Sequence, residues 1–171
     1  MAAVQDALVI AVSIYSRIKN VLKLSNSLDT IQKNVSYTFT DGAGADQADE
    51  HWSDERTLAA SASEDLDLAG VLTDAFGAVI TFARIKFLYV EADAANTNDV
   101  VVGGAPANAW LGPFADVTDK FKVRPGGAHF DLDRTAGGFV VTAGTGDLLR
   151  VANSGAGTSV KYRMVLIGSL S

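Results

Sequence analysis

Three short apolar runs near the end of the chain, separated by glycine-bearing hinges, are the feature that most restricts the fold. The runs cover residues 139–141, 148–152 and 160–167, and the hinges cover residues 143–147 and 153–157. Runs of this length suit strands better than helices, and glycine supplies the backbone freedom that tight turns need. The pattern predicts compact antiparallel sheet with no helix between the strands.

The last of these runs alternates between apolar and polar side chains. The residues expected to face inward are Val160, Tyr162, Met164 and Leu166. Because successive side chains of a strand point to opposite faces, the polar residues between them are expected to face solvent. This is the pattern of a half-buried strand.

Residues 79–90 form the most strand-like run in the chain and are apolar on both faces. Strict alternation places Ile85 and Phe87 on the same face. Apolar residues on both faces predict a central or doubly covered strand. In such a strand, Arg84 and Lys86 need either solvent or a carboxylate partner.

Turn chemistry predicts two connections elsewhere in the chain. Residues 120–124 and 129–133 alternate in the manner of strands, and the Pro-Gly-Gly sequence at residues 125–127 predicts a hairpin turn between them. Residues 41–55 are polar and contain glycine, which predicts a loop that carries one large apolar residue, Trp52.

The first 40 residues are less clear in their periodicity. A helical stripe and a strand alternation both fit residues 4–24, so both structures stay open there, whereas residues 35–40 predict a strand. The basic side chains of this region are Arg17, Lys19, Lys23 and Lys33. They make residues 1–38 net basic on an otherwise acidic chain. The apolar run at residues 7–12 is too short to cross a bilayer, and basic residues follow it, so we expect neither export nor a membrane anchor.

The order of these elements predicts the fold class. Strands recur at short intervals with no clear helical segment between them, which favours antiparallel architectures over α/β folds with crossover helices. We therefore expect an all-β protein, an antiparallel β-sandwich or jelly roll over residues 41–171, with an N-terminal arm over residues 1–40.

Composition restricts the possible function. The chain has 171 residues, enough for one domain with a hydrophobic core, and 14 basic against 20 acidic side chains give a net charge of -6. A net negative charge disfavours nucleic acid, since affinity for phosphates comes mainly from cationic side chains. The absence of cysteine excludes disulfides, thiolate nucleophiles and Cys-ligated zinc.

Motifs for catalysis and cofactor binding are lacking. A Ser-His-Asp triad would need His51 or His129, and neither lies near a recognisable nucleophile turn; Ser154 lacks the flanking glycine of the elbow motif. The glycine pairs at residues 42–44 and 155–157 have no third glycine, and no lysine-bearing phosphate loop occurs. We expect no enzymatic activity, no catalytic residues and no cofactor.

Two groups of residues are candidates for a metal site. His129, Asp131 and Asp133 would project from one face of a strand, and imidazole with two carboxylates suits a divalent metal. The favoured interpretation is that these three residues form the solvent-exposed face of an amphipathic strand. The acidic side chains in the segment 41–55 do not follow the order of a calcium-binding EF-hand loop. We interpret them as a solvated acidic loop. We expect no metal site, although bound metal or glycan stays open.

Tryptophans in predicted loops supply a second class of candidates. Trp52 and Trp110 could anchor an interface, because tryptophan is favoured at buried contact centres, or could fill the core. The same residues would serve a carbohydrate-binding or host-recognition module of a phage head or tail fibre, which is the alternative function. Glycoside hydrolysis by paired carboxylates is a third, weaker possibility.

Several turn and strand motifs together resemble a known class of protein. The motifs are DLDLAG at residues 65–70, LTDAFG at 72–77, VRPGG at 123–127, TAGTGDLL at 142–149 and ANSGAGT at 152–158. They resemble the small β-rich virion proteins encoded beside capsid genes in tailed bacteriophages, the capsid decoration or cement proteins. The resemblance covers about residues 50–168.

The resemblance implies a function that composition alone does not supply. Proteins of this family sit on the outside of the capsid, often as homotrimers, bind the major capsid protein and tie neighbouring capsomers together. By this resemblance we expect a virion structural protein on the capsid surface, with neither nucleic acid nor membrane as a partner. The basic segment at residues 1–40 is expected to contact the capsid or a sister subunit.

Overall fold

The structure of the protein is a computed structural model that describes residues 8–170. Within that range it contains strands, turns and loops and no helix, and hence no helix long and apolar enough to cross a membrane. The strands are β1 (Leu8–Val21), β2 (Asn26–Phe39), β3 (Glu50–Leu58), β4 (Ser63–Asp67), β5 (Ala69–Thr73), β6 (Val79–Thr81), β7 (Arg84–Ala92), β8 (Val100–Gly103), β9 (Lys120–Val123), β10 (Ala128–Leu132), β11 (Phe139–Val140), β12 (Leu148–Asn153) and β13 (Val160–Ser169).

Two larger sheets form the body of the molecule. The first has the strand order β10-β7-β13-β3, and β11 also pairs with β7; the second has the order β4-β12-β8-β9. Two separate hairpins, β1–β2 and β5–β6, complete the described part of the chain, and all the strand pairs are antiparallel. The prediction of an all-β, antiparallel fold of the β-sandwich kind is confirmed.

The main core is a single apolar cluster to which both sheets contribute. The first sheet supplies Leu88 and Met164, and the second supplies Val102 and Val151. Strand β13 follows the predicted alternation, since its inward-facing residues are almost completely buried. These residues are Val160, Tyr162, Met164 and Leu166. The apolar period of two in the sequence therefore marks the face on which the sheets meet.

The run at residues 79–90 is divided between β6 and β7, and β7 is buried on both faces as predicted. The expected grouping of Ile85 with Phe87 is wrong. The register against β13 pairs Ile167 with Phe87 and Gly168 with Ile85, so that Lys86 is the extra residue of a β-bulge. A bulge reverses the alternation, and Ile85 thus joins the main core while Phe87 faces the other way.

The two basic side chains of this strand find different partners from those expected. Lys86 is fully buried at the bulge, and its ammonium donates a hydrogen bond to the carbonyl of Thr135. Arg84 donates to the carbonyl of Ala136 at 3.1 Å. Burial lowers the pKa of Lys86, and the nearby Arg84 charge lowers it further. For Lys86 a backbone carbonyl therefore takes the place of the predicted solvent or carboxylate, whereas Arg84 is half-buried and keeps contact with solvent.

Two predicted connections need correction. The turn at residues 125–127 forms, with the Gly127 amide donating to the Arg124 carbonyl at 2.8 Å, but β9 pairs with β8 and β10 pairs with β7. The turn thus carries the chain from one sheet to the other and is not a hairpin. The predicted loop at residues 41–55 ends early, because β3 begins at Glu50 and includes Trp52.

The ambiguous N-terminal region is a long antiparallel hairpin. Within the described residues, 8–21 form β1 and pair along their whole length with β2, so the strand alternative is the correct one; residues 4–7 of that prediction lie outside the described range. The strand predicted at residues 35–40 is the end of β2, which stops at Phe39. That the segment acts as an arm stays a prediction.

Candidate interaction surface

The hairpin of β1 and β2, which we call the ribbon, has two chemically different faces. Residues directly opposite each other in an antiparallel pair share a face, so the register assigns every side chain. The apolar face comprises Leu8, Ile10, Val12, Ile14, Ser16, Ile18 and Asn20 with their partners Phe39, Tyr37, Val35, Lys33, Ile31, Asp29 and Ser27. The polar face comprises Val9, Ala11, Ser13, Tyr15, Arg17, Lys19 and Val21 with their partners Thr38, Ser36, Asn34, Gln32, Thr30, Leu28 and Asn26.

The base of the apolar face is packed on the body. Ile10 and Phe39 belong to a second core cluster, whose other members are Ala48, Phe87 and Ile167. This cluster lies on the outer side of the first sheet, where the side chains of β7 and β13 point away from the main core. Tyr37 packs against this cluster, and the guanidinium of Arg134 lies 4.8 Å from the centre of the Tyr37 ring.

Beyond its base the ribbon is exposed on both faces. Every residue from 13 to 34 is exposed, and on the apolar face Ile18 is 65% accessible. Two strands alone are marginally stable in water, and a row of exposed isoleucines is typical of an interaction site. The ribbon thus presents an apolar surface that the described part of this chain does not cover.

The polar face and the tip give the ribbon its charge. Residues 8–39 contain four basic side chains against one carboxylate, Asp29, while the remainder of the chain is acidic. Arg17 and Lys19 lie on the polar face, and Lys23 lies in the turn beside Leu24, which is 99% accessible. The tip therefore combines positive charge with an apolar side chain, a combination suited to an acidic partner surface with an apolar depression.

A second hairpin also exposes apolar side chains. Strands β5 and β6 are joined by a turn in which the Asp74 carboxylate accepts hydrogen bonds from the amides of Phe76 and Ala78, at 2.8 and 2.7 Å. This turn holds Phe76 outward, with 84% of its surface accessible. The motif at residues 72–77 therefore builds a fixed, solvent-facing aromatic.

The candidate metal ligands do not assemble into a site. His129 Nε2 lies 2.7 Å from a carboxylate oxygen of Asp131, and the imidazole stacks on Phe121 with ring centres 3.9 Å apart. Asp133 instead accepts a hydrogen bond from the Thr135 amide at 2.8 Å. Across residues 8–170 no group of three or more histidine, aspartate or glutamate side chains could hold a metal ion.

The acidic residues of the 41–55 segment take part in structural contacts. Asp46 pairs with Arg134 at 2.5 Å, and Asp49 accepts a hydrogen bond from the Leu170 amide at 2.9 Å. Both contacts tie this segment to later parts of the chain, so the interpretation of a merely solvated acidic loop is incomplete.

Both tryptophans lie in the core. Trp52 and Trp110 are 5% and 2% accessible, and the Trp110 indole donates to the Val140 carbonyl at 2.9 Å. Arg56 covers the Trp52 ring at 5.6 Å from its centre. Of the two roles open from the sequence, the structure supports core filling, and neither tryptophan is a loop-borne platform for a sugar.

A cleft of about 610 Å³ is lined by residues from the segments 105–117 and 138–146. Its apolar walls include Leu111, Val117 and Val140, and the residues that line it carry no titratable side chain. A cleft of this composition provides shape and apolar surface without a general acid or base.

Sequence reasoning missed a polar network that joins the two sheets. The Tyr162 hydroxyl donates to Glu64 at 2.9 Å, and Arg56 contacts the same carboxylate at 2.6 Å. Burial raises the pKa of Tyr162, and the Glu64 charge raises it further. Alternation in β13 marks Tyr162 as inward, but no sequence signal pairs it with a residue 98 positions away.

Comparison of the chain with protein-family models, with curated proteins and with solved structures found no match.

Proposed function

We propose that this chain is a non-enzymatic structural protein of a virion, which decorates the outside of a tailed-phage capsid and bridges neighbouring capsomers. The observation that carries the proposal is the ribbon: an exposed, net basic hairpin on an otherwise acidic body. Such a protein needs attachment surfaces and a rigid body. The turn motifs at residues 65–77 and 123–158 supply the resemblance to decoration proteins.

The charge distribution supports attachment through the ribbon. Arg17, Lys19 and Lys23 carry positive charge on the polar face and tip, well away from the acidic body. A basic element on an acidic protein is directed toward an acidic partner and keeps the acidic body away from it. The proposed partner is the major capsid protein, and the proposed location is the capsid surface.

Binding of this kind gains from several weak contacts. A ribbon that contacts one capsomer and a second hairpin that presents Phe76 to another would give each copy two attachment points. Joined contacts convert later binding steps into intramolecular ones and raise the overall affinity without a large single interface.

Co-sedimentation with purified capsids of the phage that encodes the chain, referred to as heads, tests the proposal. The wild-type chain is expected to sediment with the heads, and the double variant Arg17→Glu/Lys19→Glu is expected to bind at least about tenfold more weakly, because it reverses the charge of the polar face.

The matched control reverses two basic residues on the body. Lys122→Glu/Arg124→Glu makes the same change in net charge at exposed positions outside the ribbon, and it is expected to bind nearly as well as the wild type. Equal losses in the two variants would point to net charge alone. A wild-type chain that stays in the supernatant would contradict the proposed function itself.

A further inference from the structure

The uncovered part of the apolar face has defined ends. At the body, Ile10 is buried in the second core cluster; Val12 and Val35, the next pair on this face, are half-buried but belong to neither core cluster, so the stretch begins with them. At the tip, the last pair on this face is Asn20 with Ser27. Five residue pairs therefore make up the free stretch, and its midpoint is one pair, Ser16 with Ile31.

We propose that two copies of this chain associate through this stretch, face to face and antiparallel, about a two-fold axis that passes beside Ser16 and Ile31. Two-fold contacts are self-complementary and close after two subunits. Only an axis at the midpoint lets an antiparallel pair use the whole free stretch of both ribbons. Length alone therefore sets the register.

The three isoleucines of the free stretch meet isoleucines in this register. Rotation about the axis places Ile14 against Ile18 of the second copy, and Ile31 against Ile31 of the second copy. Ile14, Ile18 and Ile31 are each more than half exposed in the single chain, so their burial removes apolar surface from water. Two ribbons, each marginal alone, then form a two-layer unit with an apolar interior.

The charges provide an independent check on the register. Lys33 and Asp29 are the charged residues on the free stretch of the apolar face, and they lie at equal distances on either side of the midpoint. The axis therefore places Lys33 opposite Asp29 of the second copy, and by symmetry this pair forms twice. Opposite charges across an interface fix register and suppress other arrangements.

Parallel arrangements lack this match. In a parallel dimer or trimer, Lys33 stays level with Lys33 of the other copies, and Asp29 stays level with Asp29. The two levels are four residues apart along the strand, about 13 Å, so neither charge meets its opposite. The two-fold contact thus differs from the trimer that the resemblance implies. It also stands apart from the proposed function, since it concerns the purified chain without a capsid.

Single cysteines test the arrangement, because the chain has none of its own. With a short bis-maleimide reagent, Ser16→Cys is expected to cross-link efficiently to itself. Val12→Cys and Asn20→Cys are each expected to cross-link poorly alone and well when mixed, since the axis brings these two positions together. Tyr15→Cys, at an exposed position on the polar face, is the matched control and is expected to stay unlinked.

The native mass and a charge exchange complete the test. Sedimentation equilibrium is expected to give a dimer whose Kd rises about tenfold or more in Lys33→Asp and recovers in Lys33→Asp/Asp29→Lys. Circular dichroism checks that each variant folds. Efficient self-linking of Val12→Cys would indicate parallel ribbons, linking of Tyr15→Cys would indicate association through the polar face or a strand edge, and a monomeric mass would indicate no association. Each of these three results would overturn the proposal.

Discussion

Tyr162 illustrates how a single buried residue connects the two sheets. Its ring lies in the main core, while its hydroxyl donates to Glu64, which Arg56 also contacts. Tyr162 and Arg56 belong to the first sheet and Glu64 to the second. The hydrogen bond therefore crosses the core, and it is formed in a setting where an unpaired hydroxyl would be costly.

The protonation of Tyr162 predicts a change of stability in alkali. Tyrosine in the unfolded chain loses its proton near pH 10, whereas Tyr162 in the folded protein holds it to higher pH. The folded state then binds more protons, so the free energy of unfolding falls above about pH 10, by at most ~1.4 kcal/mol per pH unit for this residue. Tyr162→Phe is expected to flatten this decline and to cost about 1 kcal/mol at pH 8, where the hydrogen bond alone is lost.

Urea unfolding at pH values between 8 and 11 measures both effects. The comparison of slopes between wild type and Tyr162→Phe cancels the contribution of the other tyrosines. Identical slopes in the two proteins would show that this hydroxyl titrates in the folded state as it does in the unfolded chain.

Individual residues were predictable where the local pattern decides their environment. The inward positions of β13 follow from alternation, because Lys161 and Arg163 separate the first three of them. Lys86 was not predictable, since its burial depends on a bulge that only the register against β13 creates. Gly168 shows the same dependence, because a Cβ there would clash with the backbone carbonyl of Arg84, a contact between distant parts of the chain.

At the scale of elements, the ribbon is separable from the body. Residues 13–34 are exposed throughout, and the second core cluster holds only the base of the ribbon. The contacts within this exposed part of the ribbon involve no core residue, so they contribute little to the stability of the body.

A shortened ribbon is expected to leave the body intact. Replacement of residues 13–34 by Asn-Gly joins Val12 to Val35, which already face each other across the ribbon, and the two-residue turn suits a hairpin. The free energy of unfolding, followed by the fluorescence of the two buried tryptophans, is expected to change by less than about 1 kcal/mol, as for surface changes elsewhere.

A deeper deletion provides the comparison. Replacement of residues 9–38 by the same Asn-Gly turn takes Ile10 out of the second core cluster and removes Tyr37, which packs against it, so it is expected to destabilise the body measurably. Equal losses of stability in the short and the deep deletion would show that the distal ribbon contributes to the body and is not separable from it.

The ribbon shows why the sequence left helix and strand open. Leu8, Val12, Tyr15 and Ile18 fit a helical stripe, and Ile10, Val12 and Ile14 also fit a strand. The pairing with β2 decides between helix and strand, and the hydrophobic periodicity of residues 4–24 contains no information about that pairing. The surface that the ribbon presents was foreseen only as a basic segment, because its apolar face depends on the same pairing.

At the scale of the whole molecule, the protein has two apolar clusters of different extent. The main core joins both sheets, whereas the second core cluster joins the ribbon base, Ala48 and the outer side of the first sheet. Strand β7 contributes to both, with Leu88 in the first and Phe87 in the second. The fold was predictable at the level of class, while the assignment of β9 and β10 to different sheets was not, because a turn does not specify the partners of the strands it joins.

Matched truncations in the two clusters are expected to act differently. Leu88→Ala opens a cavity in the main core and is expected to lower the free energy of unfolding by about 2–5 kcal/mol. Phe39→Ala removes the largest buried ring of the ribbon base, and it is expected to release the ribbon while lowering global stability less. Trypsin cleavage at Arg17, Lys19 or Lys23 is therefore expected to accelerate more in Phe39→Ala than in Leu88→Ala. Cleavage that follows global stability in both variants would contradict two separable clusters.

The alternation of faces along the ribbon restricts how its length can change. Loss of one residue from each strand would turn Ile14 and Ile18 to the side now held by Arg17 and Lys19, whereas loss of two would restore the original orientation. The spacing between the body and whatever the tip reaches can therefore change only in steps of two residues, about 6.6 Å each. We therefore expect homologous chains whose ribbons differ in length to differ by an even number of residues in each strand.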